Sequence, residues 1–258
     1  MMMTKRFLAF LLSALLLFPA ALADPLPLEE DLSDTVTIFY NGEDDSDGRY
    51  VYTYRYPLAV ESDDLSAVCV NEFYRKKVRE FTDDYIPSLA DYYAGLSLNV
   101  DVEVSYVVTC NNDEWFSVLI HKTETVDGET IESWEGNTFA RSSTVVGSLT
   151  SLPKLLGILD AGESDEWLED RQSQKVWKVL CSLVWDEIME NPDGIGFYTD
   201  LQKEDLEYII DPVLSLDQDF YMDEAGNLVF FILPGRVAPE DAGLITFSFS
   251  LEEIKDEL

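Results

Sequence analysis

The chain has 258 residues, with 51 acidic and 17 basic side chains and a formal net charge of −34. Charge of that sign excludes nucleic acid as a direct partner, because phosphate contacts require cations. Apolar residues at 47% and aromatics at 12% are too abundant for an acidic disordered chain, so a packed core is expected.

Met1 to Ala23 has basic Lys5 and Arg6, an apolar run from Phe7 to Phe18, a breaker at Pro19 and the small-x-small ending Ala21-Leu22-Ala23. This pattern reads as a secretory signal peptide over residues 1–23, cleaved before Asp24. Cleavage would take the net charge from −34 to −36, since only Lys5 and Arg6 are lost. The apolar run is short for a membrane span and no later segment is longer, so no stable span is expected after cleavage. Residues 24–48 form an acidic lead-in with one edge strand, Val36 to Tyr40.

Residues 49–140 read as an N-terminal α+β half. Arg49 to Val60 is aromatic and strand-prone as far as Pro57, and Asp63 or Asp64 can cap the helix that follows. Val70, Phe73, Tyr74, Val78 and Phe81 share one face of that helix, which Pro87 kinks or restarts. Val100, Val102, Val104 and Tyr106 alternate with Asp101, Glu103 and Ser105, the pattern of a half-buried strand. Trp115 to Lys122 and Thr130 to Phe139 follow as two more antiparallel strands, joined by a turn at Asp127-Gly128.

Residues 141–258 read as a C-terminal α+β half. A short helix runs through Leu155, Leu156 and Ile158, and Ser164 caps a long one that buries Trp177, Leu180, Cys181, Val184 and Ile188 and stops at Asn191-Pro192-Asp193-Gly194. Its apolar stripe is expected against the C-terminal sheet. Glu204 to Ile210 adds a short helical turn. Phe220-Tyr221-Met222, Leu228-Val229-Phe230-Phe231 and Ile245 to Phe249 then read as three strands, joined by the turn Asp223-Glu224-Ala225-Gly226-Asn227 and the crossover Ala238-Pro239-Glu240-Asp241-Ala242-Gly243. The fold class is α+β: antiparallel sheets with packed helices, in two halves of similar size.

That C-terminal block resembles the domain-of-unknown-function family numbered 3298, found in RsiV-type anti-sigma factor ectodomains and beside the deacetylase domain of PdaC-type peptidoglycan deacetylases. Tyr54-Arg55-Tyr56-Pro57, the helix around Val70-Asn71-Glu72-Phe73 and the strands ending near Phe139 resemble its companion family, numbered 4163. One departure is Gly235-Arg236-Val237, where the family commonly has an aromatic. Only Met1 to Arg6 precede the apolar run and the chain ends with the module, so neither a sigma-binding region nor a deacetylase domain is expected.

Catalytic motifs are scarce. His121 is the lone histidine, which rules out a multi-histidine zinc site. No Gly-x-Ser-x-Gly elbow, phosphate loop, dinucleotide fingerprint or Cys-x-x-Cys pair occurs. Acids are too numerous for any one pair to stand out as a glycosidase site. Glu43 to Gly48 imitates half a calcium loop, but Tyr54 occupies the place of the last ligand, so a solvated acidic turn is expected. Arg75-Lys76-Lys77 and Arg79 read as a solvated helix face pairing with Glu72, Glu80 and Asp83, with a patch for an anionic wall polymer as the sharper alternative. Among the cysteines, Cys181 is expected in a core, and Cys69 with Cys110 is the pair to test for a disulfide.

No catalytic, cofactor-binding or metal-binding residue is assigned, and no cofactor is expected. The leading expectation is a non-enzymatic binding or sensory module of the bacterial envelope, exported and acidic. The RsiV-type resemblance implies a cationic protein such as lysozyme as its partner. The competing class is a peptidoglycan-binding accessory or a component of a cell-wall-modifying enzyme. A eukaryotic luminal protein is a third reading, because Lys255-Asp256-Glu257-Leu258 has the form of a retrieval signal, although the same residues also close an acidic helical tail.

Overall fold

The computed structural model describes residues 24–40, 48–141, 149–160, 166–190 and 195–258. The leader, the acidic loop at 41–47 with its calcium-like pattern, the cap at Ser164 and the stop at 191–194 lie outside the described residues. No helix among the described residues is long and apolar enough to cross a membrane.

Among the described residues, eight strands form two sheets. The larger has the order β1 (Leu32–Phe39), β2 (Arg49–Tyr56), β3 (Val100–Asn111), β4 (Trp115–Val126) and β5 (Glu129–Ala140). The smaller has the order β6 (Phe220–Met222), β7 (Leu228–Ile232) and β8 (Ile245–Phe249). The class is α+β as expected, with one amendment to the antiparallel sheets: β2 and β3 run parallel. Their connection is helical, and a helical crossover returns the chain to the same end of the sheet, which a hairpin cannot do.

That crossover comprises α1 (Leu65–Arg79), a π-helical turn (Glu80–Tyr85) and α2 (Ile86–Leu96). Asp64 caps α1 by accepting from the Ser66 amide at 2.8 Å. Pro87 sits in the first turn of α2, where its missing N–H has no helical partner to lose. Ala67, Val70, Tyr74 and Val78 of α1 join Tyr50, Tyr52, Tyr54 and Tyr56 of β2 and Val100, Val102 and Val104 of β3 in one core. The period of two in β2 and β3 meets the helical period of α1 across that layer.

The other core lies on the opposite face of the large sheet. It is built by α3 (Leu152–Leu155), α4 (Glu166–Glu190), α5 (Lys203–Ile209), α6 (Leu214–Gln218), the small sheet and α7 (Leu251–Asp256). Val176, Leu180, Cys181, Val184 and Ile188 of α4 share it with Phe230, Phe247 and Phe249, so the apolar stripe of α4 packs where expected. Strand β6 lies against β4 and β5, where the Met222 amide donates to Ser117 Oγ at 3.0 Å and Ser117 Oγ meets Thr138 Oγ1 at 2.8 Å. A Cβ at Gly136 would come within 1.7 Å of the Phe220 carbonyl oxygen. Only glycine allows two backbones this close.

A bulge in β3 decides which core Cys110 enters. Register shifts between Val108 and Cys110, so Cys110 pairs with Ser117 and joins the core of the small sheet, whereas Val108 packs on the helix side. Cys69 sits on α1, on the far side of the sheet. None of the three cysteines forms a disulfide, which corrects the Cys69–Cys110 pairing singled out for testing.

Candidate functional site

The large sheet offers two concavities along its edge strand β5, one on each face. On the face toward the small sheet, β6 covers only one end. The uncovered stretch of β5 and the loop after β7 enclose a cleft of about 530 Å³, lined by Thr130, Glu132 and Trp134 on one side and by Leu233, Arg236, Glu240 and Asp241 on the other. Trp134 is half-buried, while Glu132, Arg236, Glu240 and Asp241 are exposed.

His121 is Trp134's cross-strand neighbour, and the two rings stack at 4.8 Å and 21°. Nε2 of His121 lies 3.2 Å from Glu132 Oε2. The histidine therefore belongs to a cross-strand ladder with an aromatic and an acid. No cluster of three or more His, Cys, Asp or Glu able to hold a metal occurs among the described residues. This arrangement presents an aromatic surface ringed by carboxylates and one guanidinium, which suits contact with a partner.

On the helix face, a crevice of about 280 Å³ opens between the sheet and the junction of α1 with the π-helical turn. Tyr52, Tyr56, Val104 and Ile120 floor it, Phe81 forms a wall, and Lys77, Lys122, Ser133 and Glu135 stand around it. Burial raises the Tyr52 and Tyr56 phenols above the ordinary tyrosine range. Burial alone would push Glu124 up. Hydrogen bonds from Lys122 and Tyr93, with the charge of Lys122, outweigh it and hold the carboxyl below its usual range.

The basic residues of α1 follow the expected helix-surface pairing only in one case. Lys76 meets Glu80 at 3.5 Å, as the i,i+4 spacing predicts. Arg75 instead reaches Glu61 at 3.1 Å, and Lys77 turns inward to Glu135 of β5 at 2.6 Å. These three charges point in different directions and do not form one patch. Glu61 lies before the helix begins and Glu135 on β5, both off α1, so helix periodicity could not reveal them. Two features were not singled out from the sequence. The Trp134 cleft depends on how the loop after β7 meets β5, and the nearest hint in the sequence was the departure at Gly235-Arg236-Val237. The Tyr52–Tyr56 crevice had a visible signal, four tyrosines alternating through Tyr50-Val51-Tyr52-Thr53-Tyr54-Arg55-Tyr56.

No family model matches the sequence, and no curated protein matches it. Solved structures do. A crystal structure of a DUF3298-family member from Bacteroides fragilis superposes with a TM-score of 0.54 at 15% identity, covering 90% of this chain and 100% of that one. A DUF3298-family protein from Pseudomonas aeruginosa covers 90% of this chain and 94% of its own at 11% identity, with a TM-score of 0.46. The fold shared with the Bacteroides protein is DUF3298-like.

Proposed function

We propose that this chain, on its DUF3298-like fold, is an exported binding or sensory module of the bacterial envelope whose acidic exterior captures a cationic protein, lysozyme being the partner to test first. The supporting observation is how the few cations are used. Arg49, Arg55, Arg75, Lys76, Lys77, Lys122 and Arg141 each lie 2.6–3.8 Å from an acidic side chain of the same molecule. Those cations are thereby engaged within the molecule, while Asp83, Asp84, Glu103 and Glu129 remain exposed. An acidic field of this size speeds encounter with a basic partner and disfavours anionic ones. The engagement of His121 in a ladder fits binding better than catalysis.

A second reading, a peptidoglycan-binding accessory or a component of a cell-wall-modifying enzyme, is favoured by the Trp134 cleft, where an aromatic face and polar side chains suit a sugar ring. The immobilised protein is offered lysozyme and purified peptidoglycan in parallel. Retention of lysozyme alone is the expected outcome, and it should survive Trp134→Ala. Retention of glycan that disappears in Trp134→Ala would favour the second reading instead.

A further inference from the structure

Tyr52 and Tyr56 lie four residues apart on β2 and face the helix layer, at 2% and 3% exposure. Their hydroxyls are 3.3 Å apart, and either can donate to the other. One phenolic proton therefore has an oxygen to bond. The second makes no further hydrogen bond among the described residues. A buried donor left unpaired is costly, and such groups call for an explanation. Both phenols border the 280 Å³ crevice, so the unpaired donor sits at an open space.

The surroundings define what fits. The Phe81 ring lies 4.5 Å from that of Tyr52, and Val104 and Ile120 complete an aromatic and aliphatic lining. Phe81 is carried by the π-helical turn, a distortion that recurs at functional sites. At the mouth Lys77 and Lys122 are neutralised, by Glu135 at 2.6 Å and Glu124 at 3.0 Å. An entering carboxylate would meet those two acids and the field of a chain at −34, with no uncommitted cation at the mouth to receive it. An uncharged carbonyl escapes that repulsion and can accept from the phenol pair. The volume is at the small end of ligand pockets, enough for a single-ring molecule.

We propose that this crevice beneath the π-helical turn is a binding site for a small, uncharged aromatic carbonyl compound, hydrogen-bonded by the Tyr52–Tyr56 hydroxyl pair. The site is independent of the cationic-partner reading, being on the inner face of the helix layer. The test is a methyl-resolved NMR titration of the intact protein with benzamide, acetophenone and benzoate. Methyl resonances of Val104 and Ile120 should move and saturate with benzamide and acetophenone, and benzoate should bind at least about tenfold more weakly. The double variant Tyr52→Phe/Tyr56→Phe keeps both rings and removes both donors, so affinity should fall by about 5–10-fold. Unperturbed resonances elsewhere report that the variant is folded. Absence of any shift with either uncharged probe, benzoate binding as tightly as benzamide, or unchanged affinity in the double variant would each overturn the assignment.

Discussion

Single residues hold the two halves together and pin loose backbone. Gly136 has no room for a Cβ against the Phe220 carbonyl, so Gly136→Ala must push the β5 and β6 backbones away from each other. We expect it to destabilise by about 3 kcal/mol or more, measured as a lowered urea midpoint. Asn71, buried on α1, clamps Ala59 from both sides: its Oδ1 accepts from the Ala59 amide at 2.8 Å and its Nδ2 donates to the Ala59 carbonyl at 2.9 Å. Asn71→Ala orphans both groups and should cost about 2–4 kcal/mol in the same measurement. The thiols should separate in a labelling experiment. Burial pushes Cys110 up to about 11 and Cys181 up to about 12, so both should resist maleimide at neutral pH until the protein unfolds, while Cys69 on α1 labels in the native state. Cys181 was legible in the sequence because it falls on the apolar stripe of α4. Cys110 was not, because the bulge that turns it to the other face leaves no mark in the hydrophobic alternation around it.

At the scale of elements, β1 is the edge of the large sheet, and Asp31 beside its start is tied to the interior of the layer. Tyr106 donates to Asp31 Oδ1, and Arg55 donates to Oδ2 from both Nε and Nη2 at 2.9 and 2.6 Å. The Tyr106 hydrogen bond, with burial opposing and Arg55 assisting, holds the Asp31 carboxyl below its ordinary value. A carboxyl lowered by folding stabilises above its unfolded pKa and loses that contribution as pH falls through the folded one. The start of β1 should therefore loosen as pH falls below about 4, seen as faster amide exchange in Leu32 to Val36, and Asp31→Asn should loosen it at neutral pH. Strand β3 and the Asp127-Gly128 hairpin were legible because alternation and turn chemistry are local, and both turn residues do adopt positive φ, 47° and 90°. The parallel pairing of β2 with β3 was not, since it depends on which way a helical connection returns.

Across the whole molecule, the two cores lie on opposite faces of one five-stranded sheet, and the features with most chemical character lie where elements distant in sequence meet. Trp134 belongs to β5 and Arg236 to the loop after β7, so no spacing rule joins them. The acid excess, by contrast, is a property of composition and was visible from the start. Ion pairing ties several of the cations to carboxylates of the same molecule and leaves the net acid excess unchanged. Whether this exterior binds a basic protein is decided by calorimetric titration with lysozyme at low and at high ionic strength. Saturable binding is expected at low salt, weakening at least about tenfold when the Debye length is cut from roughly 10 Å to 3 Å. No binding at low salt, or an affinity indifferent to salt, would contradict it.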